Sequence, residues 1–127
     1  MSIKKGIYAA SMTVINKDLS VNVDETIKHA EKLIIQGCHG TVIGGSTGMM
    51  QLISNSEKKQ LIDKMGANKF KDNFVFGTGS NSLSENIKLM KTKQYIALVL
   101  NFTFLPFCGS ENTTTLLDIK FLGNDPF

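Results

Sequence analysis

Apolar and polar positions fall in blocks along this chain, and the period changes from block to block. Ile7-Tyr8-Ala9-Ala10-Ser11-Met12 is short and mostly apolar, and Asn16-Lys17-Asp18 supplies turn residues behind it. That run predicts a first strand. Beyond Val23 the spacing becomes helical: Ile27, Ala30 and Ile34 recur with Lys28, Glu31 and Lys32 between them. Asn22 and Glu25 open this helix as an asparagine variant of the capping box, and Gly37 stops it. His39 to Ile43, with the β-branched run Thr41-Val42-Ile43, predicts a second strand.

The rhythm then repeats. Ser54-Asn55-Ser56-Glu57 is a capping box, and the helix it opens runs from Glu57 to Met65 and ends at Gly66. Leu61 and Met65 share one side of it, and Lys58, Lys59 and Lys64 are expected to face water. Asn73-Phe74-Val75-Phe76 predicts a third strand. Ser82 and Glu85 form a third capping box, opening a helix whose apolar spacing is Leu83, Ile87 and Met90. Ile96 to Leu100 predicts a fourth strand.

Strand and helix therefore alternate with a period of roughly 30 residues, the length of a βαβ unit. The strands are apolar throughout, as parallel strands covered on both faces are. The expected fold class is α/β with about four βα units and parallel strands. Doubly wound sheets and closed barrels share this local signature, and periodicity leaves both open. Beyond Asn101 the rhythm breaks into Phe102-Thr103-Phe104-Leu105-Pro106-Phe107, then the polar, β-branched stretch from Ser110 to Thr115. Residues 102–127 read as an atypical tail.

The chain has 127 residues, enough for one small core. Its net charge is +3, all of its positive charge is lysine, with no arginine, and the lysines are scattered. Nucleic-acid recognition usually uses arginine's planar fork, so that class of partner is not expected. Cys38 and Cys108 lie too far apart in sequence for a disulfide framework and make no metal-ligand spacing with His29 and His39. No metal is expected, and a reducing cytoplasm suits two isolated cysteines. Lys4-Lys5 before the first apolar run has the look of a leader, but the run is short, and no stretch is long enough to span a membrane.

The candidate chemistry sits after the second strand, in Gly44-Gly45-Ser46-Thr47-Gly48. Glycines open backbone conformations closed to other residues, and two hydroxyls stand among backbone N–H groups. Such a loop can hold a small anion, a carboxylate or a phosphate. The same composition also serves an ordinary strand-to-helix turn.

Three stretches in order resemble the family of dihydrodipicolinate synthase and N-acetylneuraminate lyase, class I aldolases. They are Gly6-Ile7-Tyr8-Ala9-Ala10 with Asn16-Lys17-Asp18; Gly37-Cys38-His39-Gly40 through Gly45-Ser46-Thr47-Gly48 with Leu52 and Glu57; and Gly77-Thr78-Gly79-Ser80-Asn81-Ser82 with Glu85 and Ile87. The resemblance implies a (β/α)8 TIM barrel with its site at the C-terminal strand ends, of which residues 1–101 would be the N-terminal half. It implies a lyase that attaches pyruvate, or another 2-oxo acid, to a lysine as a Schiff base, without an external cofactor, in a homo-oligomer. Gly45, Ser46, Thr47 and Gly48 would bind the substrate carboxylate.

Departures from the family pattern bear on activity. Met49 stands where the family commonly has glutamate, and Asn101-Phe102-Thr103-Phe104 replaces a proline- and tyrosine-rich turn. The last tyrosine is Tyr95, and the Schiff-base lysine of the sixth strand would fall beyond Phe127. Lys120, in Leu117-Asp118-Ile119-Lys120, is a weak candidate because it arrives a strand too early. A truncated or frameshifted reading frame would give such a tail. The expectation is a chain inactive alone. The alternative is a non-catalytic α/β module that binds a carboxylate or phosphate at the glycine loop, or that associates with full-length relatives. On the barrel reading Ser46, Thr47, Thr78 and Asn101 share one sheet edge, the strands run in sequential order, and Ile43, Val75 and Val99 keep partly wetted faces that favour self-association.

Overall fold

The computed structural model describes residues 5–91 and 97–99. Four strands, β1 (Tyr8–Ser11), β2 (Gly40–Ile43), β3 (Phe74–Gly77) and β4 (Ala97–Val99), alternate with three α-helices, α1 (Val23–Ile35), α2 (Asn55–Gly66) and α3 (Leu83–Met90). Short 3-10 turns at Met50–Leu52 and Lys71–Asn73 precede α2 and β3. All three strand pairs are parallel, and the order across the sheet is β1-β2-β3-β4. A doubly wound sheet would reverse direction about its first strand. Sequential order with right-handed crossovers instead puts every connecting helix on one face, which is how a barrel wall is built.

The core confirms this one-sidedness. Register aligns Ser11 with Ile43 and Ile43 with Phe76, so these side chains share a face. Ile43, Phe74 and Phe76 pack into one buried cluster with Ile27 and Ala30 of α1, Leu61, Ile62 and Met65 of α2, and Leu89 of α3. Each such aliphatic or aromatic side chain contributes about 1.5–3 kcal/mol by leaving water. Val42 and Val75, paired in register, point the other way and lie outside that cluster. Ile43 and Val75 are nonetheless buried, at 0% and 5% exposure, rather than partly wetted. Ile43 is covered because its face is the helix face. The Val99 side chain, Asn101, Lys120 and the tail lie outside the described residues.

Two helix patterns resolve differently from their spacing. Leu83 and Ile87 of α3 stay exposed at 67% and 43%, and the helix turns Asn86 and Leu89 inward. Lys58 of α2 is buried at 3% exposure, where the helical pattern places it in water. Each helix takes its inward face from the elements packed against it, and α2 meets both α1 and α3.

The three caps also differ. At α2 the box is complete: Ser54 accepts from the Glu57 N–H, and the Glu57 carboxylate accepts from the Ser54 N–H. At α1 only half forms. Asn22 accepts from the Glu25 N–H at 3.0 Å, but its own N–H is already given to the Val14 carbonyl at 2.8 Å, and Glu25 turns to Lys28. At α3 Ser82 accepts from the Glu85 N–H, and the Glu85 carboxylate goes to Ser80 instead. Gly37, at φ 113°, ends α1 in the left-handed region that favours glycine.

Glu57 does more than cap. Its second oxygen accepts from the Val21 N–H at 2.9 Å, tying the loop after β1 to the start of α2. The Ser54 side chain first, and the Val21 backbone next, hold its carboxyl below the ordinary glutamate range. At the far end of β2, Gly44 (φ 85°) abuts the strand end of β3, and a β-carbon on Gly77 would overlap the Gly44 carbonyl. Because that obstacle is backbone, no side chain can swing aside.

Gly77→Ala is therefore expected to destabilise the fold by about 1–3 kcal/mol, the usual cost of overpacking a rigid site; equilibrium denaturation of the two proteins measures it. A second test concerns acid. Since the folded pKa of Glu57 lies below the unfolded one, its contribution is complete above about pH 4.3 and is lost as pH falls through the folded value. Glu57→Gln should be less stable than the parent near neutrality, and the gap should close on acidification, in denaturant titrations at a series of pH values.

Candidate functional site

The strand ends place the glycine loop. β2 delivers the chain to Gly44 at the C-terminal edge of the sheet, and β3 delivers Gly77 and Thr78 to the same edge. Ser46, Thr47 and Thr78 thus follow parallel strand ends on one rim, the edge where barrel and open-sheet enzymes keep their sites.

The loop is a tight double turn. The Gly48 N–H donates to the Gly45 carbonyl at 3.0 Å, and the Met49 N–H to the Ser46 carbonyl at 3.1 Å. Those two amides, which the sequence offers as anion donors, are spent inside the loop. The Ser46 and Thr47 hydroxyls and N–H groups make no hydrogen bond to other described residues, and both residues are exposed. The Thr13 hydroxyl donates to the Gly48 carbonyl at 2.7 Å, so the loop after β1 holds the turn from below. Thr13 carries no motif; its contact exists only because β1 and β2 are neighbours. Gly48 is buried, its β-carbon position 3.1 Å from the Thr13 hydroxyl and 3.2 Å from the Gly44 nitrogen. Met49 takes a left-handed conformation at φ 49° and is 47% exposed, so its side chain leaves the loop outward.

The loop exposes Ser46 and Thr47 side by side on the rim, with Gly45 half-buried and Gly48 buried beside them, while Thr78, after the neighbouring strand, is turned into the protein. Thr78 is 0% exposed, and its hydroxyl, with that of Thr41 and the Asn86 side-chain carbonyl, has no hydrogen-bond partner among the described residues. Lys120 and Asn101 are outside the described residues, and no ligand set for a metal forms among those described. Two further polar clusters lie behind the rim. The Ser11 hydroxyl is 3.0 Å from His29 Nδ1, but Ser11 is 1% exposed and faces α1, so the pair fastens β1 to α1. Glu85 accepts from the Ser80 hydroxyl at 2.9 Å and from the Asn55 side chain, and these bonds, the Ser80 one foremost, keep its carboxyl below the ordinary range. No described helix is long and apolar enough to cross a membrane.

Known proteins share this geometry. The chain is 34% identical over 83 residues to a 4-hydroxy-tetrahydrodipicolinate synthase of Lactobacillus helveticus, covering 65% of this chain and 27% of that protein. It is 36% identical over 93 residues to an N-acetylneuraminate lyase of Fusobacterium nucleatum, covering 68% and 31% respectively. The chain thus spans under a third of the length of these curated relatives. Among solved structures it superposes on YagE, an E. coli prophage protein of the dihydrodipicolinic acid synthase family in complex with pyruvate, with a TM-score of 0.66 and 22% identity over 78% of this chain and 35% of that one. The model of the dihydrodipicolinate synthetase family matches residues 4–116. Sequential parallel topology, a glycine-built donor loop on the C-terminal rim and this match agree: the chain belongs to the dihydrodipicolinate synthetase family.

Proposed function

We propose that this chain supplies the carboxylate-binding half of a lyase or aldolase site that acts on pyruvate, or another 2-oxo acid, through a lysine Schiff base. The observation that carries the reading is the Gly45–Gly48 loop, with two hydroxyls and two N–H groups unclaimed by the described residues at the rim. Preorganised donors of this kind suit a carboxylate because they need no reorganisation when the charge arrives. Family membership supports pyruvate as the acid, and the pyruvate complex of YagE agrees with it. Ser46 and Thr47 donate to the carboxylate, and Thr13 keeps the Gly48 carbonyl from turning toward it. On this reading the reacting lysine comes from barrel strands beyond the four described here, with Lys120 kept as a weak candidate. The two isolated cysteines suit a reducing cytoplasm, and the family resemblance implies a homo-oligomer for the complete barrel.

Calorimetric titration of the chain with pyruvate and with inorganic phosphate tests the loop. Pyruvate is expected to bind, and Thr47→Val to weaken it by about 1.5–3 kcal/mol, roughly ten- to a hundred-fold in Kd, the value of a hydrogen bond to a charged group. Equal binding by both proteins, or by neither, would reduce the loop to a turn; preference for phosphate would favour the non-catalytic module. Borohydride treatment in the presence of pyruvate should leave this chain unlabelled by mass spectrometry. An adduct mapped to any of its lysines would show that the chain carries its own nucleophile.

A further inference from the structure

The unclaimed N–H groups of the donor loop are aimed by the bonds that the loop spends on itself. The Gly48 N–H donates to the Gly45 carbonyl, and the Met49 N–H to the Ser46 carbonyl, so both carbonyls face the inside of the turn. The peptide bonds here are trans, and a trans peptide holds its C=O and N–H antiparallel. The Ser46 and Thr47 N–H groups share their peptide planes with those two carbonyls, and therefore face away from the turn. The peptide plane between Gly48 and Met49 carries the Met49 N–H on one side and the Gly48 carbonyl on the other. That carbonyl accepts from the Thr13 hydroxyl at 2.7 Å. A bond from outside the loop thus sets the plane whose N–H holds the Ser46 carbonyl, and through it the Thr47 N–H.

Thr13 is itself held in place. The N–H of the next residue, Val14, donates to the Thr26 hydroxyl at 3.0 Å, and the Val14 carbonyl accepts from the Asn22 N–H at 2.8 Å. Thr26 lies in α1 at 0% exposure, and its hydroxyl donates in turn to the Asn22 carbonyl at 2.7 Å. Ile15 and Val21 form an antiparallel bridge, and the Asn16 N–H donates to the Ser20 carbonyl at 2.8 Å. Residues 14–22 are thereby closed into a small hairpin, whose far end is the Val21 N–H on Glu57. Thr13 stands at the root of this hairpin, directly beside the residue that α1 grips.

We propose that Thr13, supported by the buried Thr26, is a positioning residue that fixes the direction of the Thr47 N–H and so preorganises the loop for a carboxylate. The proposal rests on the carboxylate reading of the loop for its ligand, though not for its mechanics. A threonine hydroxyl has one proton to give, and Thr13 gives it to Gly48, so Thr13 acts through the loop and offers no donor to the substrate. Its hydroxyl, not its bulk, is the working feature. Without that hydroxyl the peptide plane between Gly48 and Met49 loses its outside anchor, and the loop has to be ordered when the anion arrives.

Amide exchange followed by NMR, together with pyruvate titration, tests this on the 127-residue chain. In Thr13→Val, which keeps the shape and loses the hydroxyl, the Gly48 and Met49 amides should exchange about tenfold faster than in the parent, and pyruvate should bind about tenfold more weakly, while α1 keeps its protection. Thr13→Ser keeps the donor and should bring exchange and affinity back to within about twofold of the parent. Thr26→Val should free the Val14 amide and speed exchange at Met49 with it. Parent-like exchange at Met49 in Thr13→Val, parent-like pyruvate affinity in the same variant, acceleration spread equally over α1, or Thr13→Ser behaving as Thr13→Val would each overturn the proposal. An unchanged Met49 rate in Thr26→Val would overturn the part given to Thr26. If Thr26→Val fails to fold, the two Thr13 variants decide. A parent chain that binds no pyruvate sinks the carboxylate reading, and the exchange rates then decide by themselves whether Thr13 sets the loop.

Discussion

Where β2 and β3 end, two backbones meet so closely that neither has room for a side chain. Gly44 and Gly77 stand against one another there, and Gly79 stands against Met50 just beyond. Everything on the rim depends on this approach. It lets the chain leave β2 in a left-handed turn, and it packs Met50 into the core. It thereby directs Ser46 and Thr47 outward at the C-terminal edge. The loop's chemistry is thus a consequence of backbone packing between neighbouring strands as well as of its own residues.

The glutamates three residues into α2 and α3 look alike as capping residues and do different work. Glu57 returns to its cap and also reaches the Val21 N–H, so one carboxylate anchors both the helix and the loop that brings Thr13 under Gly48. Glu85 leaves its cap half made and serves Ser80 and Asn55. A carboxylate has lone pairs to spare, and whichever donor the tertiary structure brings nearest takes them. The rim is accordingly held from the loop after β1 by Thr13, with Glu57 anchoring that loop, while Glu85 ties down the loop after β3.

One-sided packing explains why the family's site can lie across several strands. With all helices on one face, the opposite face and the C-terminal rim remain for the barrel interior and its ligand. Val42 and Val75 belong to that inner face, and the donor loop rises from its edge. The chain contributes a segment of wall and one part of the rim, in keeping with the under one third of each curated relative that it spans.

The sequence by itself determined the alternation of strands and helices, the parallel α/β class, and the glycine loop from Gly45 to Gly48 at the end of the second strand. These are local properties: hydrophobic period, caps, and glycines where the backbone must turn. Ile27, Ala30, Leu61 and Met65 went inside as their spacing said. Only the tertiary structure decided between barrel wall and doubly wound sheet, because both use the same βα unit and differ in which strands become neighbours. It likewise decided that Lys58 is buried while Leu83 and Ile87 are not, since a helix's inward face is set by the partner it meets as well as by its own stripe. Thr13, Ser80 and Glu85 gained their roles in the same way. Each acts on a group brought beside it by folding, and hydrogen-bond donors and acceptors carry no mark in the sequence of whom they will meet.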